Sequence, residues 1–177
     1  NYLDLVALAI AADVVPLTGE NRVLAFIGLQ IINSNPRPGV HSLLKKNVKK
    51  EYTISDLMYY VGPRINAAGR MKHASLALEL LICNDINSVE KLALEIEDLN
   101  TSRRDIEKDI TSQSIEQVDN SSEKLNSIVV FDSDWNKGVI GIVASRLVDK
   151  YYKPSIVFCE SSKGVLTASA RSIKGLD

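Results

Sequence analysis

Apolar positions follow two regimes along this chain. From Leu3 to Val118 they recur at three- and four-residue spacing, the period of amphipathic helices. From Ser127 onward they come in short continuous runs, as in buried strands. Leu3 to Ala12 is apolar on all sides and predicts a helix buried in a core larger than this chain easily supplies. A second helix is predicted over Glu20 to Asn33, with Val23, Leu24, Ile27 and Ile31 on one face. Asn33 to Gly39 reads as a loop, Val40 to Lys46 as a short helix, and Thr53 or Ser55 as the cap of a helix over Asp56 to Val61. His73 to Ile82 is helical, with Leu76, Leu80 and Leu81 apolar.

The longest periodic segment runs from Val89 to Val118. Val89, Leu92, Ile96, Leu99, Ile106 and Ile110 keep the spacing, and Arg103 breaks it once. Asn87 followed by Glu90 resembles a capping box at its start. No Gly or Pro occurs from Asn87 to Lys137. One helix of about thirty residues, roughly 45 Å long, is expected. It would end at Asp119 to Ser122 and suit a strut between two lobes. Beyond it, Ser127 to Phe131 reads as a strand, Gly138 to Val148 as a helix, and Ser155 to Cys159 and Val165 to Ala170 as strands. Strand, helix, strand at this spacing predicts a βαβ unit and a partly parallel sheet, with a hairpin at Ser161 to Gly164.

Composition adds a charge pattern. The 177 residues are 45% hydrophobic and 24% charged, with a net charge of −1. No global basic excess marks a nucleic-acid binder. Residues 1–84 hold 9 Lys/Arg against 6 Asp/Glu, residues 85–124 hold 5 against 11, and residues 125–177 hold 7 against 5. Two mildly basic lobes therefore flank an acidic segment. The run Lys45-Lys46-Asn47-Val48-Lys49-Lys50 is either a solvated face or a contact for a phosphate backbone. Cys83 and Cys159 form neither a disulfide framework nor a zinc cluster and are expected to be buried. The longest apolar run, Leu5 to Ala12, is too short to span a bilayer, and a cytoplasmic setting is expected. Asn1 leads directly into apolar sequence and Asp177 follows no helix, which suggests a piece of a longer protein.

Four places carry candidate chemistry. Asp13 is the only charge between Asp4 and Glu20, at the expected end of a helix, where the macrodipole disfavours an anion. It either ligates a metal or caps the turn before Pro16. Gly62-Pro63-Arg64-Ile65-Asn66-Ala67-Ala68-Gly69-Arg70 suits neither a helix interior nor a central strand. It is a turn with solvated arginines or a phosphate-binding stretch. Asp132 to Gly141 joins a strand to a glycine-rich helix start, which favours anions. Within it Asp132 and Asp134 are solvated acids or metal ligands, and Trp135 is core or a base-stacking surface. Ser169 and Arg171, two apart, share one strand face and suit a terminal phosphate, unless this is a solvated edge. His41 and His73 stand alone, so covalent catalysis is not expected.

Together these stretches resemble the RecJ single-strand-specific exonucleases of the DHH phosphoesterase superfamily. The resemblance rests on Leu5 to Leu8, Ala12 to Leu17, Gly62 to Arg70, Trp135 to Leu147 and Ser169 to Ser172, in that order. It implies an α/β fold: the helical C-terminal part of a DHH catalytic domain (1–84), a long connecting helix (85–122), and the start of a DHH-associated domain with a mixed sheet (123–177). It implies that Asp13 ligates one of two Mn2+ or Mg2+ ions. It implies that Ser169 and Arg171 hold the substrate's 5′ phosphate together with Arg64, or alternatively Arg70. Asn66, Gly138 and Ser172 join the residues that contact DNA. The implied activity is 5′-to-3′ degradation of single-stranded DNA in repair and recombination. A single-strand-binding protein or a helicase is the implied protein partner. The alternatives are a phosphodiesterase of short oligonucleotides or cyclic dinucleotides, and a non-catalytic nucleic-acid-binding module. The family's Asp-His-His and glycine-glycine-histidine motifs do not occur here, and Asn136 stands where the family usually has His. The chain alone is therefore expected to be inactive.

Overall fold

The computed structural model describes residues 2–45, 48–121 and 126–176. Lys46 and Asn47 of the basic run, Ser122 at the expected helix end, and the terminal residues Asn1 and Asp177 lie outside the described residues. The chain forms two compact units, residues 1–101 and 102–177, divided within one long helix.

The first unit is helical. Helix α1 (Leu3–Ala12) crosses α2 (Gly19–Ser34) at Gly28, where a Cβ would fall onto the Leu3 carbonyl. This close crossing decides which face of α2 is buried. Ala25, Gly28 and Ile32 face inward, while Val23, Phe26 and Ile27 are exposed. The expected face of Val23, Leu24, Ile27 and Ile31 is thus corrected in part: Leu24 and Ile31 are half-buried, while Val23 and Ile27 give way to Ala25 and Gly28, because the close crossing at Gly28 admits only small residues there. Helix α3 (Pro38–Leu44) begins at a proline, which has no N–H to lose there. Its Gly39 packs directly on the backbone of α6 (Ser75–Ile82). Ala7, Leu8, Val40, Leu44, Leu57, Val61, Leu80 and Ile96 are among the residues of one core.

The stretch expected to break regular structure is helical. Thr53 forms a capping box with Asp56 and starts α4 (Ile54–Asp56). A π-helical turn, Leu57–Val61, leads into α5 (Gly62–Met71). Pro63 lies in the first turn of α5, where proline is tolerated. Gly62 is there for packing: a Cβ would meet Ala12 Cα at 3.2 Å.

Helix α7 (Ile86–Asp119) is continuous over 34 residues, longer at both ends than its periodicity predicts. Its start is held by Asp85, whose carboxylate accepts the Ser88 N–H at 2.8 Å, so Asp85 replaces the expected Asn87/Glu90 box. Hydrogen bonding by Ser88, from its side chain first and its backbone N–H second, holds the Asp85 carboxyl below the usual carboxylate range.

The second unit contains a three-stranded mixed sheet in the order β1-β2-β3. Strand β1 (Ile128–Phe131) pairs parallel with β2 (Ser155–Ser162) through the crossover helix α8 (Ile140–Tyr151). Strand β3 (Val165–Arg171) returns antiparallel, with a register irregularity between Glu160 and Ser162 and Gly164 at φ +76°. The α8 face of β2 buries Ser155, Val157 and Cys159. The C-terminal half of α7 grips this unit with glutamines one turn apart. Gln117 donates to the Phe131 carbonyl (3.0 Å) and accepts its N–H (3.3 Å), and Gln113 accepts the Trp135 indole N–H (2.8 Å). Trp135 is 4% exposed and belongs to the core, not to a base-stacking surface.

Candidate nucleic-acid and metal site

In the first unit the candidate residues cluster where α1 ends. Helix α1 closes in a Schellman arrangement: Val14 N–H bonds the Ala11 carbonyl (3.3 Å) and Val15 N–H the Ile10 carbonyl (3.1 Å). The left-handed residue that this closure needs is usually glycine. Here it is Val14, at φ +55°. A β-branched residue in that region stores strain of about 1–3 kcal/mol. The strained closure fixes Asp13 as the residue that caps the C-terminus of the helix, exposed to solvent. Among the described residues its carboxylate has no hydrogen-bond or ion-pair partner, so it does not cap the next turn. An anion at a helix C-terminus gains from a cation. The described residues hold no group of three or more His, Cys, Asp or Glu that could bind a metal ion. Asp13 is thus a single exposed carboxylate, which could supply no more than one side-chain ligand group to a metal ion.

Gly62 brings the start of α5 against Ala12, next to Asp13. Along α5, Asn66 and Arg70 are exposed one turn apart, with Gly69 between them. Arg64 points elsewhere. Its Nε and Nη2 donate to the two Glu97 carboxylate oxygens at 2.6 and 3.3 Å, and Nη1 donates to the Tyr60 carbonyl. Its side chain is only 12% exposed. A bidentate pair of this kind fixes the guanidinium as well as neutralising it. Nothing in the sequence between positions 64 and 97 signalled this partner.

In the second unit the candidate residues meet on the α8 face of the sheet. Ser169 pairs with Val157 and Arg171 with Ser155, so both point toward α8. Opposite them lies Gly141, in the first turn of α8. A Cβ on Gly141 would stand 3.0 Å from Ser169 Oγ and 3.5 Å from Arg171 Nη2. Arg171 Nη1 donates to the Ala170 carbonyl at 2.7 Å and approaches Ser169 Oγ at 3.4 Å. Among the described residues no carboxylate pairs with Arg171. A hydroxyl, an uncompensated guanidinium and a helix N-terminus thus lie side by side, which favours an oxyanion.

Two expected contacts are differently placed. The Gly138 N–H donates to Asn136 Oδ1 at 2.8 Å, and α8 begins two residues later, so Gly138 precedes the helix that it was expected to open. Asn136 also accepts the Val139 and Ile140 N–H groups on its carbonyl, so it organises the turn into α8. The Ser172 hydroxyl donates to the Leu176 carbonyl (2.8 Å), a bond that a ligand would have to displace. Asp132 accepts the Asp134 N–H at 2.8 Å and so shapes the same loop. Cys159 is fully buried, and desolvation raises its thiol above the ordinary value; Cys83 is only half-buried. A buried, desolvated thiol such as that of Cys159 does not suit a nucleophile. Among the described residues no helix is long and apolar enough to cross a membrane.

No family model matches the chain. It is 42% identical over 184 residues to the single-stranded-DNA-specific exonuclease RecJ of Haemophilus influenzae, covering 99% of this chain and 32% of that protein. Crystal structures of Thermus thermophilus RecJ in complex with Mg2+ and with Mn2+ superpose with a TM-score of 0.87 each, at 29% and 30% identity. They cover 99% of this chain and 27% and 26% of theirs. The chain spans about a third of the length of that curated relative. The mixed helical and α/β architecture, with its long helix and three-stranded sheet, is that of the corresponding part of RecJ. Over the length it spans, the chain belongs to the family of RecJ single-stranded-DNA-specific exonucleases.

Proposed function

We propose that this chain is part of a metal-dependent exonuclease that degrades single-stranded DNA from its 5′ end, in DNA repair and recombination. The observation that carries the reading is the approach of Ser169 and Arg171 to the first turn of α8 at Gly141, in a chain whose relatives are single-stranded-DNA-specific exonucleases. Residues 1–84 would be the C-terminal part of a DHH catalytic domain, 85–122 its connecting helix and 123–177 the start of the DHH-associated domain.

Each residue then has a defined task. Arg171 and Ser169 bind the terminal phosphate through charge-assisted hydrogen bonds. Asn66 and Arg70, on one exposed face of α5, follow the sugar–phosphate backbone. Arg64 contributes through its hold on Glu97, which seats α5. Gly138 acts through the loop it forms with Asn136, and Ser172 offers a further hydroxyl beyond the strand. Asp13 holds one divalent ion, Mn2+ or Mg2+, with the remaining ligands supplied by sequence outside these 177 residues. When bound, two such ions supply the charge that activates a water and steadies the leaving oxygen. An anchored 5′ phosphate fixes which phosphodiester lies at the reacting position, so binding is converted into orientation. With one carboxylate of the metal set, the chain alone is inactive. A single-strand-binding protein or a helicase would present the strand.

Incubation of the complete protein with Mn2+ and long single-stranded DNA, duplex DNA or dinucleotides tests the reading. Stepwise release of nucleotides from the single strand is expected, with duplex intact. Cleavage of dinucleotides alone would point instead to an oligonucleotide phosphodiesterase.

A further inference from the structure

We propose that Tyr59 is a stacking platform for a base of the single strand, on the same helical stripe as Asn66 and Arg70. The proposal rests on the reading of α5 as a face that follows single-stranded DNA, and it names the contact by which that face meets a base. Tyrosine ordinarily covers its ring and leaves its hydroxyl wet. Tyr59 instead is 70% exposed, in the middle of the π-helical turn that leads into α5. Its neighbours Leu57 and Val61 are fully buried, so the core holds the turn from one side and leaves Tyr59 on the other.

The turn is tied at both ends. Just before it, the Asp56 carboxylate accepts the Thr53 N–H at 2.8 Å and Lys49 Nζ at 2.6 Å. Within it, the Tyr60 carbonyl accepts Nη1 of Arg64, which Glu97 holds in place. Part of the basic run thus serves the turn through Lys49. A side chain on backbone fixed in this way loses little freedom when a flat ligand settles on it. Beyond the turn, Asn66 and Arg70 are exposed while Gly62, Ala67 and Ala68 are buried, so the outward stripe runs Tyr59, Asn66, Arg70. It spans roughly 16 Å at the helical rise. From Leu57 to Arg70 no other apolar side chain is exposed. A protein partner would call for a contiguous apolar patch. One ring set among an amide and a guanidinium matches a chain of flat bases joined by anionic phosphates. A duplex keeps its base faces inside the stack, so Tyr59 favours the single strand.

The test measures binding by the complete protein, without divalent metal, of oligothymidylate and of an abasic strand of equal length and charge. Tyr59→Ala should keep the melting temperature and bind oligothymidylate about tenfold more weakly. It should bind the abasic strand as the wild type does, with the same dependence on salt. Tyr59→Trp should bind oligothymidylate at least as tightly as the wild type, and Tyr59→Leu, which keeps bulk without a π face, should resemble Tyr59→Ala. Full affinity in Tyr59→Ala or Tyr59→Leu, or an equal loss on the abasic strand, would overturn the stacking role. If Arg70→Ala still weakens binding in that case, the reading of α5 as a DNA-facing helix survives. If neither Tyr59→Ala nor Arg70→Ala weakens it, both fail.

Discussion

Arg64 and Glu97 form a two-point ion pair, with Arg64 Nε 2.6 Å from Glu97 Oε2 and Nη2 3.3 Å from Oε1. It ties α5 to α7 within the first unit, and both side chains are mostly shielded from solvent. Removing Arg64 takes two hydrogen bonds from the Glu97 carboxylate and one from the Tyr60 carbonyl. Arg64→Ala should therefore lower the stability of the first unit by about 2 kcal/mol, read in urea or thermal unfolding. An unchanged midpoint would return Arg64 to the pool of residues available for DNA.

Val14 offers a test in the opposite direction. Its φ of +55° closes α1 where glycine would do so without strain. Val14→Gly should raise stability by about 1 kcal/mol, offset in part by the extra freedom of the unfolded chain. A loss would show that the Val14 side chain, 64% exposed, makes contacts that outweigh its backbone strain.

Acid should act through Asp56. The hydrogen bond from Lys49 (2.6 Å), aided by Thr53, holds this carboxyl below the usual carboxylate range. A group with a depressed folded-state pKa stabilises the fold above its unfolded value, near 3.9, and loses that contribution as pH falls through the folded value. Unfolding free energy should therefore drop below about pH 4. Asp56→Asn should be less stable at neutral pH and show a shallower decline below it.

Much of this architecture was legible because it depends on local chemistry. The long helix followed from three-four spacing broken only at Arg103, without Gly or Pro, and the βαβ unit from short apolar runs flanking a helical one. What escaped depended on contacts distant in sequence. Gly62 to Arg70 looks unhelical by propensity, yet Pro63 sits where a helix start tolerates it and Gly62 is selected by Ala12. The buried face of α2 was set by the backbone of α1 at Gly28, which hydrophobic spacing alone does not encode. Ser169 and Arg171 could be paired by their two-residue spacing. Their companion Gly141 could not, although a glycine within a helix was itself a signal.

Binding to the phosphate backbone should be salt-dependent. Arg70→Ala and Arg171→Ala should each weaken binding of single-stranded DNA by the complete protein. Each should also flatten the dependence of log affinity on log salt, by roughly 0.7 for every phosphate that is no longer neutralised. An unchanged slope in either variant would show that its arginine does not meet the phosphate backbone.

The most direct test of the pocket is the ratio of kcat/KM for 5′-phosphorylated over 5′-hydroxyl single strands, measured with Mn2+ on the complete protein and on its Arg171→Ala variant. The account predicts a wild-type ratio well above one that falls toward one in the variant, chiefly through loss on the phosphorylated strand. A variant that keeps the wild-type ratio, or a wild type that treats both ends alike, would contradict it.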